Sequence, residues 1–301
     1  WQTSLSLVNP VVFPDPGDFL PGVFTLNRNS AWYSTFVFDG SNWQSIPYTV
    51  TDEIIAPFVA QPASFVTRSI RLTKIKMVDT ANGWAIGDIA LRNTDYFETI
   101  LYGFLFHYDG VTWTPIAAPD SAADNYLATL RDLAVTGGDT VWVLGANSAI
   151  HRYSSGQWQT VLPARDHEFG DPYFVAFTMI SADDGWAAGN AFFHYDGQSW
   201  QVTQPISDSI RSLAMVSAQE GWAVGELGAI YHFDGQSWQK VLSPTTINLD
   251  DVAMPSSDSG WAIGSKWDWE EEAFTALLLH YNGSDWQIAA TLPQMRLWSI
   301  S

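Results

Sequence analysis

The chain of 301 residues carries 32 acidic against 13 basic side chains, a net charge of −19, with 47% apolar residues and no cysteine. Affinity for nucleic acid or an anionic membrane surface comes from neutralising phosphates, so neither is an expected partner of so acidic a chain. The missing cysteines exclude disulfides, thiolate metal sites and cysteine nucleophiles, and no 18-residue apolar run marks a transmembrane helix or any direct membrane insertion.

Taken from its start, the chain opens on Trp1-Gln2, which has the form of a short outer strand. The absence of an initiating methionine suggests that a leader or upstream segment has been removed. A unit over about 20–45 follows, with an inner strand near Thr25, a strand entered at Ala31-Trp32, a turn at Phe38-Asp39-Gly40, and an outer strand from Trp43. The same order recurs over 70–115, 130–160, 174–202, 210–240 and 249–288. Each unit has a strand entered through Trp84, Trp142, Trp186, Trp222 or Trp261 that runs on as Trp-[Ala/Val]-x-Gly. Each then has a turn at Tyr108-Asp109-Gly110, Tyr153-Ser154-Ser155, Tyr195-Asp196-Gly197, Phe233-Asp234-Gly235 or Tyr281-Asn282-Gly283, and a second tryptophan three residues on. Intervals of 70, 45, 42, 38 and 48 residues between those second tryptophans match one four-stranded propeller blade per repeat. Period-2 alternation throughout, with no sustained stripe at helical spacing, predicts an all-β chain.

At the end of the chain, Met295 to Ser301 aligns with the inner strand that begins at Ile210-Arg211. Joining it to residues 1–8 in one partial blade would close a ring and remove exposed strand edges. The expectation is a single β-propeller domain over 1–301 with six complete blades and a shared seventh, its parent chain continuing past Ser301. A six-bladed ring with overlapping ends is the alternative.

Most conspicuous residues fit architecture. Asp39, Asp109, Asp196 and Asp234 are replaced in other units by Asn282 and Ser154, which can make the same local bonds, a replacement that suits a turn and not a nucleophile. His107, His194, His232 and His280 sit at one repeat position in four different blades and cannot converge on a metal. No cofactor-binding loop, catalytic motif or metal set stands out, so no cofactor, metal or catalytic residue is assigned.

The run from Gly221-Trp222-Ala223-Val224-Gly225 to His232-Phe233-Asp234-Gly235 and Trp238 resembles repeats of the photosystem II stability and assembly factor type. That group belongs to the wider Asp-box, or BNR-like, propellers, and the resemblance covers nearly all of 20–301. The chain departs from the Asp-box in carrying His two residues before Asp and in lacking a residue between Asp and Gly. The resemblance implies a non-catalytic, lumenal or periplasmic protein that binds segments of membrane-protein partners as an assembly or accessory subunit. Sialidases share the box but are enzymes; their arginine-plus-apolar-plus-proline signature is missing here. With only four lysines and strong acidity, the chain is expected to be extracytoplasmic.

The expected function is therefore a binding or scaffold propeller for a protein or peptide. A secreted carbohydrate-active hydrolase or glycan-binding lectin, with a glycan as ligand, is the alternative. With the four strands of a unit lettered a to d in chain order, length irregularities fall on the face that carries the b–c hairpins and d–a loops, where function concentrates on a repeated scaffold. Two hairpins are expanded, one holding Tyr96 and Phe97, the other Trp267 and Trp269. Arg131, Arg211 and Arg296 share one position at the start of the innermost strand, a ring of guanidiniums suited to a carboxylate or acidic peptide. Asp132, Asp250 and Asp251 stand nearby as counter-charges. These seven aromatics and arginines form the candidate binding site.

Overall fold

The computed structural model describes residues 23–26, 34–38, 43–46, 65–79, 81–93, 99–118, 130–137, 139–145, 148–164, 173–297 and 300, with backbone alone for 23–46, 65–73, 90–93 and 99–102. Every sheet is antiparallel and built from strands consecutive in sequence. Five sheets have four strands. The first comprises β4 (Phe65–Asp79), β5 (Asn82–Asn93), β6 (Thr99–Tyr108) and β7 (Trp113–Ala117), and the second β8 (Asp132–Thr136), β9 (Thr140–Leu144), β10 (Ile150–Ser154) and β11 (Gln157–Leu162). The third holds β12 (Phe174–Met179), β13 (Gly185–Gly189), β14 (Ala191–Tyr195) and β15 (Trp200–Pro205). The fourth holds β16 (Ile210–Ser217), β17 (Glu220–Gly225), β18 (Ile230–Phe233) and β19 (Trp238–Lys240), and the fifth β20 (Leu249–Ala253), β21 (Gly260–Asp268), β22 (Ala273–Tyr281) and β23 (Trp286–Pro293). These are blades I to V of a β-propeller.

The blade number corrects the sequence expectation of seven, or alternatively six. Among the described residues the structure has five four-stranded blades, preceded by a three-stranded sheet of β1 (Val23–Leu26), β2 (Ser34–Phe38) and β3 (Trp43–Ile46). Its register explains the error. Val23 lies opposite Val37, two residues before Asp39, as Trp222 lies opposite His232, two residues before Asp234. So β1 takes the place of the Gly-Trp strand of that unit and not of the inner one; Trp32 lies outside the described residues. In blade III the strand from Trp186 to the turn and on to Trp200 uses a single connecting residue, Asn190, which is already near the minimum. Trp32 and Trp43 stand closer still, too close to hold two strands and a turn. The shared terminal blade expected from residues 1–8 and 295–301 falls largely outside the described residues; 294–297, which are described, carry no strand.

Within a blade the repeat residues act locally. Oδ1 of Asp109, Asp196, Asp234 and Asn282 each accepts the backbone N–H groups two and three residues on. Those bonds hold the carboxyls of Asp109, Asp196 and Asp234 below their usual range. Each repeat histidine lies against its own blade's tryptophan, with ring centroids 4.3 to 4.6 Å apart for Trp84–His107, Trp186–His194, Trp222–His232 and Trp261–His280. Its Nε2 meets the residue two before that tryptophan, at 2.9 Å for Asn82 and Asp184 and 3.4 Å for Ser259. In blade II the position is Arg152, whose guanidinium covers Trp142 at 5.5 Å.

Between blades the tryptophans are slabs. Trp84 meets Tyr153, Trp142 meets Tyr195, Trp186 meets Phe233 and Trp238, and Trp222 meets Tyr281 and Trp286, so each strand-b tryptophan packs on the next blade's strand c. Trp238 also stacks on Phe192 at 4.3 Å with rings parallel to 1°. The indole N–H groups of Trp222, Trp238 and Trp286 are buried without a hydrogen-bond partner, so these side chains stabilise by apolar area and ring packing.

Candidate functional site

The innermost strands build the site. Strands β4, β12, β16 and β20 each carry a bulge at the register shifts Leu72/Lys74, Phe174/Ala176, Ile210/Ser212 and Leu249/Asp251. In blade IV the bulge sits against Gly225, where any Cβ would run into the carbonyl of Ser209; this is why the strand ends in glycine. A bulge re-aims side chains. The residue after each one, and Asp132 at the same place in the unbulged β8, stands ten places before its tryptophan: Lys74, Asp132, Ala176, Ser212 and Asp251.

Four of these five interact across the propeller axis. Lys74 Nζ lies 2.7 Å from Asp132 on β8 and 3.8 Å from Asp251 on β20, and the carboxylates are only 2% and 4% exposed. Asp132 also accepts from the backbone N–H of Leu133 and Phe177; Asp251 accepts from Ser212 Oγ at 2.6 Å and from the N–H of Val252 and Ile300. Burial opposes the Lys74 charge, but the two carboxylates outweigh it and its pKa is raised. Burial pushes Asp251 up while Lys74, Ser212 and the Ile300 N–H pull harder, leaving it low. Desolvation and then the like charge of Lys74 lower Lys76. The innermost strands of blades I, II, IV and V are thus tied at this end by a buried ionic network, which the Ile300 N–H joins.

The arginines expected at this mouth have separate fates. Arg211 donates to Asp250 at 2.6 Å and to Glu226 at 3.0 Å, so its charge is met twice within the protein. Arg296 lies over the ring of Phe274 at 4.7 Å and is partly desolvated, which lowers its pKa; its charge acts on Asp250 together with that of Arg211. Desolvation nonetheless keeps the Asp250 carboxyl above its usual range. Arg131 is exposed, and its described bond is from its backbone N–H to Leu144. The structure therefore pairs Arg211 with Asp250 and Glu226 and sets Arg296 over Phe274, and no described contact joins Arg131 to either.

Trp267 and Trp269 stand on the extension of β21 and β22 beyond Gly264, where Ser265 to Asp268 pair with Ala276 to Ala273. Asp268 Oδ1 accepts from the N–H groups of Glu270 and Glu271 and shapes the tip, and Glu272 takes a left-handed φ of 47°. Trp269 is 84% exposed and Trp267 36%; their rings meet edge-on at 6.0 Å, and Trp267 meets Phe274 at 4.8 Å. Phe274 thus joins the tryptophans to Arg296. Sequence reasoning missed it, though the register Trp261 opposite His280, continued outward, places Phe274 opposite Trp267. Leu227, in a 3₁₀ turn over Glu226–Gly228, adds a further exposed apolar side chain beside the Arg211–Glu226 pair. Tyr96 and Phe97 lie outside the described residues; the strands leading to them, β5 and β6, are extended on the same face.

No known family pattern matches the chain, and no curated protein sequence does. Solved structures do. "YCF48 bound to D1 peptide" is similar with a TM-score of 0.53 at 17% identity, over 83% of this chain and 72% of that one. "YCF48 from Cyanidioschyzon merolae" gives 0.48 at 14% identity, over 75% of this chain and 86% of that one. The WD40 repeats of RRP9 give 0.50 at 9% identity, over 78% of this chain and 84% of that one. At such identities the likeness is one of fold: this chain is similar to β-propellers of both kinds.

Proposed function

We propose that the protein is a non-catalytic binding or scaffold propeller that takes a protein or peptide segment on the face bearing the Trp267–Trp269 hairpin. The reading rests on one observation: a tryptophan left 84% exposed on a hairpin raised above the sheet, backed by Trp267 and Phe274 and continuous with Arg296. Aromatic side chains placed this way are the residues that dominate interface energy. The neighbour YCF48 has a structure with a D1 peptide bound, which favours a peptide ligand over a glycan. The acidity, the few lysines and the resemblance to assembly factors support an extracytoplasmic location and an accessory role in a membrane-associated complex, with an Asp-box ancestry.

The test places a benzophenone side chain at Leu227 or at Val111, both 76% exposed and on opposite faces, and crosslinks within the source envelope fraction. A single partner, identified by mass spectrometry from Leu227 and absent from Val111, is expected. Equal products from both positions, or none from Leu227, would overturn the face assignment.

A further inference from the structure

We infer that the Trp267–Trp269 hairpin docks a cationic, Lys- or Arg-bearing segment of a protein partner; this rests on the binder reading and gives its ligand a charge. Two independent features point to that sign. The aromatic cluster already holds one cation of its own, the guanidinium of Arg296 over Phe274 at 4.7 Å, on the ring that Trp267 touches. A face-bound guanidinium is stabilised by the ring quadrupole, and indole does this better than phenyl. Trp269 offers the larger and more exposed ring.

Charge is the second feature. Around the two tryptophans the hairpin carries Asp268, Glu270, Glu271 and Glu272 against Lys266 alone. Asp268 is engaged with its own turn, and among the described residues no ion pair neutralises the three glutamates. An arginine or lysine laid on Trp269 therefore meets both an aromatic face and uncompensated carboxylates. The same charges disfavour the other occupants. A second copy would bring an identical acidic hairpin and a net charge of −19, and an acidic peptide would find Arg211 already held by Asp250 and Glu226.

The experiment is calorimetric titration of the full chain with a capped heptapeptide alternating Ala with Arg and Lys, and with its Glu counterpart. Binding of the cationic peptide alone is expected. Trp269→Ala, which changes no charge, should weaken it at least about 10-fold, while Trp269→Phe keeps it within about 3-fold. The triple variant Glu270→Gln, Glu271→Gln, Glu272→Gln should weaken it and flatten its salt dependence. Asp139→Asn, Asp183→Asn and Asp285→Asn together, on the opposite face, should leave it unchanged. An unchanged Kd in Trp269→Ala, or equal losses in the two triple variants, would reduce the effect to bulk charge and overturn the inference. So would Trp269-dependent binding of phosphatidylcholine vesicles without peptide binding, or Trp269-dependent dimers in sedimentation. A partner that crosslinks from Leu227 equally in wild type and Trp269→Ala overturns the cationic chemistry but leaves the proposed face standing.

Discussion

Among the described residues, Lys74 is set between two buried carboxylates, Asp132 and Asp251. Replacing it with methionine would leave Asp132 and Asp251 buried with no cation between them, a loss of about 3–5 kcal/mol by the usual cost of breaking a buried pair. Urea unfolding checks this, and the accompanying Asp251→Asn change should recover part of the deficit. The pH dependence follows from the two signs. Asp251 is depressed in the folded state, so its contribution is present above an unfolded pKa of about 3.9 and disappears as pH falls through the folded value. Lys74 is raised, so its contribution is complete below about 10.4 and disappears only as pH rises through its folded value. A plateau between those limits is expected, with an acid limb shallower in Asp251→Asn. None of this stands out in the sequence, because Lys74, Asp132, Ala176, Ser212 and Asp251 share a position but not a residue type. The repeat there is one of complementarity, invisible to a search for recurrence.

At the scale of one blade, recurrence was legible wherever neighbours in sequence are neighbours in space. The described turn aspartates Asp109, Asp196 and Asp234 bond within their turns, and each repeat histidine packs at a tilt on the tryptophan opposite it in the same hairpin. Tryptophan spacing located the four-stranded sheets where a Trp-[Ala/Val]-x-Gly run followed, and failed in the first unit, where Trp32 lacks that run and Val23 takes the place opposite Val37. The candidate site was legible in part: the tall hairpin showed as extra length, whereas the pairing of Arg211 with Asp250 and of Arg296 with Phe274 depends on loop paths that no period fixes. Two substitutions separate the roles of the tryptophans. Trp238→Ala, between blades III and IV, should cost about 3–5 kcal/mol through the cavity left against Phe192 and Trp186, while Trp269→Ala should leave the melting temperature unchanged. Gly225→Val should destabilise without any loss of surface chemistry, because its side chain would displace the Ser209 backbone that forms the bulge.

For the molecule as a whole, residues after blade V add contacts to its hairpin and to the network at the axis. Met295 N–H bonds to the Phe274 carbonyl, Arg296 covers the Phe274 ring, and Ile300 N–H reaches Asp251. Removing residues 294–301 should therefore lower stability by about 1–3 kcal/mol, the range for losing a hydrogen bond to a buried carboxylate. The same truncation should open the Phe274 ring to solvent. Thermal unfolding of the truncated and intact chains, followed by near-ultraviolet circular dichroism, measures the first; a blue-to-red shift in Trp267 emission reports the second.

The reach of Lys74 also bears on the order in which the chain is made. Its first partner, Asp132, belongs to the very next blade, but its second, Asp251, is supplied only by the last, with the rest of the propeller synthesised in between. A growing chain can thus form a Lys74–Asp132 pair early, then hold one ammonium with an unfilled side until the fifth blade leaves the ribosome. Contacts of such long sequence separation are slow to form and aggregation-exposed while incomplete. Chains stalled before Asp251 should be the ones that chaperones retain, and release should coincide with the appearance of blade V.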